Sequence, residues 1–380
     1  MSFSDLGLPF SLLVALKKEN YLTPYPIQVA AIPTILKRKD VLGIAKTGSG
    51  KTAAYVLPIL TILEIGIKFK NRQIPVLVVV PTRELAIQVA TVFDQFAIYL
   101  KIRVKTLPVY GGVSINPQMK AMNHVQVLVA TPGRLLDLVE SNAVQLSEVS
   151  ILVLDEADKM LNLGFKKEMD RIIDLLPTKK QNLLFSATLS ADLASLSDML
   201  LHQAVTIKID SAETQAELID QSAYLVADDQ KGPLLRYLIV TKEIHQVLVF
   251  TSSTYKADNV ANKLRKNGIE AAAIHGKKSQ SARTNSLQQF KSGQLRVLVS
   301  TDLLARGIDI DSLPHVINYE LPRSPKDFIH RVGRTGRAGA KGMAISLVTP
   351  DQLHHFKVIQ KKMGSWTELI DSSEFKLKGY

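Results

Sequence analysis

The sequence predicts an α/β protein of two tandem domains, each a mostly parallel sheet flanked by helices. Short runs rich in Val, Ile and Leu recur along the 380 residues. They are apolar on both faces, which is typical of strands buried in a parallel sheet. The longer amphipathic segments between them have the length of crossover helices. The chain length also fits two domains of ordinary size.

Five such runs occur in each half of the chain. Strands are therefore expected at 41–45, 76–80, 125–130, 151–154 and 182–185, and again at 246–250, 271–274, 296–300, 315–318 and 343–348. The stretch 210–221 is polar and has no strand pattern, so we expect a linker there. The domains are then expected at residues 1–209 and 222–380.

Composition excludes several classes of protein. Hydrophobic residues make up 46% and charged residues 22% of the chain, which excludes intrinsic disorder. The absence of cysteine excludes disulfides, thiolate catalysis and cysteine-based zinc sites. No apolar run reaches the roughly 18 residues of a membrane span, and the first residues do not resemble a secretory signal. We therefore expect a soluble cytoplasmic protein.

The net charge of +12 is spread over both halves and favours a polyanionic partner. This signal is weak by itself, because many basic proteins bind no nucleic acid. A stronger signal is that the chemically distinctive residues come directly after the expected strands. Ligands of open parallel sheets bind outside the carboxyl ends of the strands.

The first expected strand is followed by the sequence Ala-Lys-Thr-Gly-Ser-Gly-Lys-Thr, which is close to a phosphate-binding loop. Ala45 stands where the strict pattern has glycine. The glycines let backbone N–H groups converge on phosphate at a helix N-terminus. Lys51 supplies charge to the β- and γ-phosphates, and the Thr52 hydroxyl can bind Mg²⁺. The loop residues expected to contact the nucleotide are Thr47, Gly48, Ser49, Gly50, Lys51 and Thr52.

An acidic tetrapeptide, Asp-Glu-Ala-Asp, follows the expected strand at 151–154. Asp155 is expected to hold Mg²⁺ through water, and Glu156 to orient and deprotonate the attacking water. Asp158 needs a protein partner, because the metal cannot neutralise all of this charge. The alternative is a helix-capping acidic pair; the phosphate loop upstream favours the nucleotide interpretation.

These segments, in this order, resemble the DEAD-box RNA helicases of superfamily two over residues 3–348. The other matching segments are 81–85, 111–112, 131–134, 186–188, 249–252, Gln280 with Arg283, 301–302, 305–309 and 330–337. The family commonly has alanine at the position of Ala45. The resemblance implies two RecA-like domains flanking a cleft, with ATP between them and RNA across both.

Adenine recognition is expected at 20–28. The Gln28 amide offers one donor and one acceptor, which matches N7 and N6 of adenine and predicts a preference for ATP over GTP. The resemblance implies that Tyr21 stacks on the base. Phe3 either packs behind the loop or is an ordinary core aromatic. Asn20 stands where the family usually has glycine.

The second half has no phosphate loop, so its arginines serve ATP only if it joins the first half. Arg334 and Arg337 are expected to pair with the γ-phosphate, with His330 and Arg331 just upstream. The resemblance implies that Asp309 reaches the ribose. It also implies a coupling role for Asp158, Ser186, Thr188 and His330, which would relay domain closure to the acidic residues.

RNA is expected to be bound mainly through its sugar-phosphate backbone. The 23 aromatic residues do not cluster at the matching segments, which disfavours a base-stacking platform. Small residues, hydroxyls and arginines suit phosphate and 2′-hydroxyl groups and favour RNA over DNA. The expected contacts are Arg83, Gly111, Gly112, Thr131, Arg134, Gln280, Arg283 and Thr301.

The function predicted is an RNA-stimulated ATPase that locally unwinds short RNA duplexes or remodels ribonucleoproteins, with ATP as substrate and Mg²⁺ as cofactor. The alternative from another class is an ATP-gated RNA clamp that turns over slowly. A DNA translocase and a metabolic kinase with a phosphate loop are weaker alternatives. The kinase hypothesis leaves the arginines of the second half unused.

Overall fold

The computed structural model describes residues 1–46, 48–66, 72–209, 219–302, 313–336 and 341–380. The chain divides into two compact units, Met1–Ser211 and Ala212–Tyr380. Each unit contains a seven-stranded sheet whose described strand pairs are all parallel, with helices between the strands. The predicted fold class, two tandem RecA-like α/β domains, is confirmed.

The first unit alternates strands and helices almost throughout. Its strands are β1 (Val41–Ile44), β2 (Val76–Val79), β3 (Thr106–Val109), β4 (Val127–Ala130), β5 (Ile151–Leu154), β6 (Gln181–Ser186) and β7 (Val205–Lys208). Its helices are α1 (Phe10–Lys18), α2 (Pro26–Leu36), α3 (Lys51–Gly66), α4 (Arg83–Ala97), α5 (Asn116–Ala121), α6 (Pro132–Glu140), α7 (Ala157–Asn162), α8 (Lys166–Asp174) and α9 (Ala191–Leu200).

The strands of the first sheet lie in the order β3-β4-β2-β5-β6-β1-β7. Both of its faces are buried, which explains why the central strands are continuous apolar runs. On β2, Val76 and Val78 pack into the hydrophobic cluster on one face, and Leu77 and Val79 pack into the cluster on the other. Because all of the strands are parallel, the loops after β1, β5 and β6 emerge at one edge of the sheet.

The second unit is built in the same way. Its strands are β8 (Ile219–Leu225), β9 (Val247–Thr251), β10 (Ala271–Ile274), β11 (Val297–Thr301), β12 (His315–Asn318), β13 (Gly342–Val348) and β14 (Leu369–Asp371), in the order β10-β11-β9-β12-β13-β8-β14. Its helices are α10 (Lys231–Thr241), α11 (Thr254–Lys266), α12 (Gln280–Lys291), α13 (Pro325–Val332) and α14 (Leu353–Met363).

Four strands were not predicted from the sequence: β3, β7, β8 and β14. Three of them are at sheet edges, and β8 is next to an edge. Their residues are mostly half-buried or exposed, in contrast with the fully buried central strands. They therefore lack the continuous apolar run on which the prediction depended.

The expected linker at 210–221 needs a correction at its end. Residues 219–221 belong to β8, where they pair with residues 342–344 of β13. The remainder of the expected linker, 210–218, lies outside the described residues. Across the part of the chain that the structure describes, no helix is both long and apolar enough to span a membrane.

Candidate active site

The phosphate loop connects β1 to α3, as the sequence predicts. Gly48 and Gly50 have φ values of 81° and 85°. A side chain at Gly50 would be strained and would also collide, because a Cβ there would lie 2.5 Å from Gln28 Nε2. The ammonium group of Lys51 donates a hydrogen bond to the Ala45 carbonyl at 2.6 Å and is buried. Thr47 lies outside the described residues.

Gln28 is the first residue that ties the N-terminal segment to this loop. It lies in the first turn of α2 and is 0% exposed. Its Oε1 accepts from the Tyr25 backbone N–H at 2.9 Å, and its Nε2 donates to the Gly50 carbonyl at 3.0 Å. These bonds fix which end of the amide is the oxygen. Each end keeps capacity for one more hydrogen bond, a donor and an acceptor.

Two aromatic residues of the N-terminal segment, Phe3 and Tyr21, pack in or against the core of the first unit. Phe3 is buried in the hydrophobic cluster on one face of the sheet, which agrees with the packing interpretation of this residue. Tyr21 is partly buried, and its ring meets the ring of Phe96 edge to face at 5.4 Å between centroids. Tyr25, which is exposed, also lies beside the phosphate loop.

Asp155 follows β5 and is almost fully buried. The hydroxyl of Tyr55, on α3, donates to Asp155 Oδ2 at 2.9 Å, and the backbone N–H of Glu156 donates to Oδ1 at 2.9 Å. Burial raises the pKa of Asp155 to about 6, with repulsion from Glu156 acting in the same direction and the nearby Lys51 acting against both. A cation beside Asp155 would therefore stabilise its ionised form. Tyr55 was not among the predicted site residues, although a tyrosine in the apolar helix after a phosphate loop is a usable signal.

Glu156 has a left-handed backbone, with φ 54° and ψ 43°, at the start of α7. Few non-glycine residues adopt this conformation, and those that do are concentrated at functional sites. Its Oε1 accepts from Lys159 Nζ at 2.6 Å. Its Oε2 is buried and has no hydrogen-bond partner among the residues that the structure describes. The arrangement leaves one acceptor for a water molecule.

Asp158 is held by the loop after β6. The Thr188 hydroxyl donates to Asp158 Oδ2 at 2.7 Å, and the Ser186 hydroxyl donates to the Thr188 carbonyl at 2.9 Å. Burial acts to raise the pKa of Asp158, but hydrogen bonds from Thr188 and Ser186 and the charge of Lys51 hold it below its usual value. Asp158 thus has the protein partner that the sequence requires.

The segments expected to contact RNA in the first unit lie at the ends of β2, β3 and β4, which are neighbours in the sheet. Arg83 lies directly against Gly112, where a Cβ would be 1.6 Å from Arg83 Nη2; a side chain there would displace the guanidinium and would be strained at φ 74°. Arg134 is buried and donates to the Val113 carbonyl at 2.8 Å. It therefore anchors the loop that contains the two glycines. Thr131, at the start of α6, is also buried.

In the second unit, the expected RNA contacts lie at β11 and at the start of α12. Thr301 ends β11, and Gln280 is the first residue of α12; both are half-buried. Arg283 is one turn further along and is buried. Because β10, β11 and β9 are neighbours, these residues share one edge of the sheet.

The arginines at the end of α13 differ from the expectation. Arg331 was expected on a face of the turn neighbouring those of His330 and Arg334, but it is 2% exposed and bonds to Asp302 Oδ1 at 2.5 Å and Oδ2 at 2.8 Å. It is a structural residue of the second unit. Arg334 is also 2% exposed, and His330 is half-buried. Asp309 and Arg337 lie outside the described residues.

The residues around the phosphate loop fit Mg²⁺. Among the described residues, no three His, Asp or Glu side chains form a metal-binding group. Mg²⁺ does not need one, since in nucleotide sites it is bound by one or two carboxylates, phosphate oxygens and water. Asp155 supplies a buried carboxylate, which accepts a hydrogen bond from the Tyr55 hydroxyl. The side chain of Thr52 contacts that same hydroxyl.

The candidate residues of the first unit fall into two groups along the sheet. The nucleotide group follows β1, β5 and β6, and the RNA group follows β2, β3 and β4. Since β2 pairs with β5, the two groups meet at the centre of the sheet. The residues expected to bind nucleotide and those expected to bind RNA are therefore neighbours along one edge of the sheet.

Family models and known proteins match most of the chain. Residues 25–196 match the family model described as DEAD/DEAH box helicase, and residues 230–339 match the helicase conserved C-terminal domain. The chain is 39% identical over 362 residues to the ATP-dependent RNA helicase CshA of Limosilactobacillus reuteri, covering 95% of this chain and 72% of that protein. It is 39% identical over 371 residues to the DEAD-box ATP-dependent RNA helicase RhpA of Helicobacter pylori, covering 97% and 74%.

Solved structures resemble the whole chain as well. The structure of Dbp5 from S. cerevisiae bound to RNA and ADP BeF3 has a TM-score of 0.82 and 29% identity, covering 98% of this chain and 96% of that one. A DEAD box protein from Methanococcus jannaschii has a TM-score of 0.55 and 36% identity, covering 97% and 99%.

Proposed function

The chain belongs to the DEAD-box family of ATP-dependent RNA helicases, and from this premise we propose how its residues divide the work of an RNA-stimulated ATPase that locally unwinds RNA. The observation that supports the proposal most is the cluster at the ends of β1, β5 and β6. It combines a phosphate loop, a buried carboxylate beside Lys51 and a second carboxylate with one free acceptor atom.

The phosphate loop binds the triphosphate. Residues Thr47 to Thr52 surround the β- and γ-phosphates with backbone N–H groups, and Lys51 leaves the Ala45 carbonyl to pair with them. Gln28 reads N6 and N7 of adenine with the hydrogen-bonding capacity that Tyr25 and Gly50 leave unused, and Tyr21 packs against the base. ATP is therefore preferred over GTP.

Asp155 and Thr52 hold Mg²⁺, which neutralises charge on the phosphates when it is bound. Glu156 accepts the proton of the attacking water through Oε2, the atom that has no hydrogen-bond partner among the described residues. The left-handed backbone of Glu156 sets the direction in which its side chain leaves the chain.

The second unit supplies Arg334 and Arg337 to the γ-phosphate and Asp309 to the ribose. Arginine suits this role because its charge is permanent and its guanidinium pairs with two phosphate oxygens. Hydrolysis then requires groups of both units. RNA that binds both units favours the same state, so RNA and ATP each strengthen the effect of the other.

RNA is bound along its backbone by Arg83, Gly111 and Gly112, with Thr131 and Arg134 supporting that loop, and by Gln280, Arg283 and Thr301 in the second unit. Backbone contacts carry little sequence information, so we expect weak sequence preference. A strand held across both units cannot stay in an A-form duplex, which separates short duplexes locally. Since ATP and RNA are the substrates, we also propose a cytoplasmic location.

Two variants of the full chain test the catalytic roles. Glu156→Gln should lower kcat at least about a hundredfold and leave ATP and RNA affinity within about twofold of wild type. Retained turnover would remove Glu156 from the role of base. Arg334→Ala should lower RNA-stimulated hydrolysis by about 10³-fold or more. The matched control is Arg323→Ala, because Arg323 is an exposed arginine of the same unit.

Phosphate release with and without RNA separates the enzyme from a slow ATP-gated clamp. The enzyme should release many phosphates per chain when RNA is saturating, whereas a clamp would release about one and then stop. A DNA oligonucleotide of the same sequence should stimulate less than the RNA does. Equal stimulation would favour a DNA translocase instead.

A further inference from the structure

Lys159 directly follows the acidic tetrapeptide and lies in the first turn of α7. Its ammonium group donates to Glu156 Oε1 at 2.6 Å. Both side chains are nearly inaccessible, with 10% of Lys159 and 7% of Glu156 exposed. Surface ion pairs contribute little, but a buried pair in which one partner is lost leaves an uncompensated charge. Glu156 therefore depends on Lys159 to stay where it is.

Lys159 also contacts both neighbouring functional residues through its backbone. Its N–H donates to Asp158 Oδ1 at 3.0 Å and lies 2.9 Å from the Glu156 carbonyl. The other oxygen of Asp158 accepts from Thr188. A continuous chain of contacts thus runs from the loop after β6 through Asp158 and Lys159 to the carboxylate of Glu156.

The pair determines which oxygen of Glu156 can act. Oε1 is occupied by Lys159, and Oε2 is the buried acceptor without a partner among the described residues. Without the Lys159 ammonium group, the carboxylate of Glu156 would turn towards solvent or towards Lys51, another cation near these acids. A displacement of about 1 Å of a reacting group can cost about a hundredfold in rate.

We propose that Lys159 is a positioning residue for ATP hydrolysis: it holds Oε1 of Glu156 so that Oε2 faces the attacking water, and it connects that carboxylate to Asp158 and Thr188. This inference rests on the proposed role of Glu156 as the base. It adds a residue that acts through Glu156 and does not itself touch ATP.

The test compares Lys159→Met and Lys159→Arg in the full chain with Lys166→Met, which removes an exposed lysine from the next helix, α8. Lys159→Met should lower RNA-stimulated kcat about tenfold to a hundredfold. KM for ATP, KM for RNA and the affinity for a fluorescent ADP should stay within about twofold of wild type. Lys159→Arg should restore most of kcat. A normal kcat in Lys159→Met, or a loss that the arginine does not restore, would overturn the proposal.

A double variant separates this proposal from the role of Glu156. In a Glu156→Gln background the glutamine has no charge to hold, so adding Lys159→Met should change the single-turnover rate by less than about twofold. If it lowers the rate by the same factor as in wild type, Lys159 acts independently of Glu156 and the proposal is wrong. If Glu156→Gln alone hydrolyses ATP normally, the base assignment fails instead. Should Lys159→Met not fold, Lys159→Gln takes its place in both comparisons.

Discussion

The hydroxyl of Thr188 and the carboxylate of Asp158 are joined by a 2.7 Å hydrogen bond between the loop after β6 and the first turn of α7, the helix that follows β5. Ser186 supports the bond by donating to the Thr188 carbonyl. The two strands are neighbours in the sheet, so the loops are held at a fixed separation. A change in the loop after β6 therefore reaches the acidic residues through one hydroxyl group.

Thr188→Val should separate ATP binding from RNA stimulation. Valine keeps the shape of threonine but leaves Asp158 without this donor, and a hydrogen bond to a charged group contributes about 1.5–3 kcal/mol. We expect RNA-stimulated kcat to fall about tenfold or more, with hydrolysis in the absence of RNA changing much less. Steady-state ATPase assays with and without RNA measure both rates. Thr188→Ser retains the hydroxyl and should behave as wild type; an equal loss in serine and valine variants would refute the relay.

The sequence predicted the central strands and the loops that follow them, because both depend on local patterns. The interior strands are buried on both faces and appear as apolar runs, whereas β3 and β7 are half-exposed edge strands and do not. The site loops were located because they directly follow those runs. Ion pairs between residues a few positions apart can also be predicted from the sequence. Lys159, for example, is three positions from Glu156 on the first turn of α7.

Gln28→Glu tests whether the amide connects adenine to the phosphate loop. The new carboxylate oxygen would face the Gly50 carbonyl in place of the donor at 3.0 Å, and it could not donate to N7 of adenine. The bond to Gly50 is present without nucleotide, so only the lost bond to N7, about 1 kcal/mol, lowers ATP affinity; ATP binding should weaken about fivefold, with a smaller effect on GTP. Competition of ATP and GTP against a fluorescent nucleotide measures this ratio. Gln288→Glu makes the same change in charge on an exposed residue of the other unit and should have no effect.

Tyr55→Phe removes one hydroxyl from the interior of the first unit. Asp155 Oδ2 then loses its donor while remaining buried, at a cost of about 1–3 kcal/mol. We expect the nucleotide-free protein to unfold at a lower urea concentration at neutral pH, as followed by circular dichroism. Tyr255→Phe is the control, because Tyr255 is exposed. An unchanged midpoint would mean that Asp155 is already satisfied by Glu156 N–H and its remaining neighbours.

The contacts that sequence reasoning could not find are those between distant segments. Tyr55 and Asp155 are 100 residues apart and meet only because α3 packs beside β5. Arg331 was misplaced for the same reason: its partner Asp302 is 29 residues away, at the end of β11. Spacing along one helix shows which side chains are neighbours, but not which of them point into the domain.

Arg331→Met should therefore destabilise the second unit before it affects chemistry. The guanidinium bonds to both oxygens of Asp302, to Asn318 Oδ1 and to the Glu320 carbonyl, and it lies over the Phe250 ring. Breaking a buried pair by removing one partner costs about 3–5 kcal/mol. The ammonium group of lysine cannot form the two parallel hydrogen bonds that the planar guanidinium makes with a carboxylate, so Arg331→Lys should restore only part of the stability. Thermal unfolding measures both variants, with Arg323→Met as the exposed control.

Glu320 gives a prediction with a defined pH dependence. Its Oε2 accepts from the backbone N–H and the hydroxyl of Ser252, both at 2.7 Å, and its Oε1 accepts from Lys256 Nζ at 2.5 Å. Burial acts to raise the pKa of Glu320, but the hydrogen bonds from Lys256 and Ser252 outweigh it and hold the pKa below its usual value. A carboxylate with a lowered pKa in the folded state stabilises the fold above its pKa in the unfolded chain, which is about 4.3. That stability is lost as the pH falls through the lower pKa of the folded state.

Glu320→Gln should thus cost about 1–3 kcal/mol at pH 7 and progressively less as the pH falls below about 4, as measured by urea denaturation across this range. A difference between the two proteins that stays constant with pH would show that the packing of Glu320, and not its charge, stabilises the second unit.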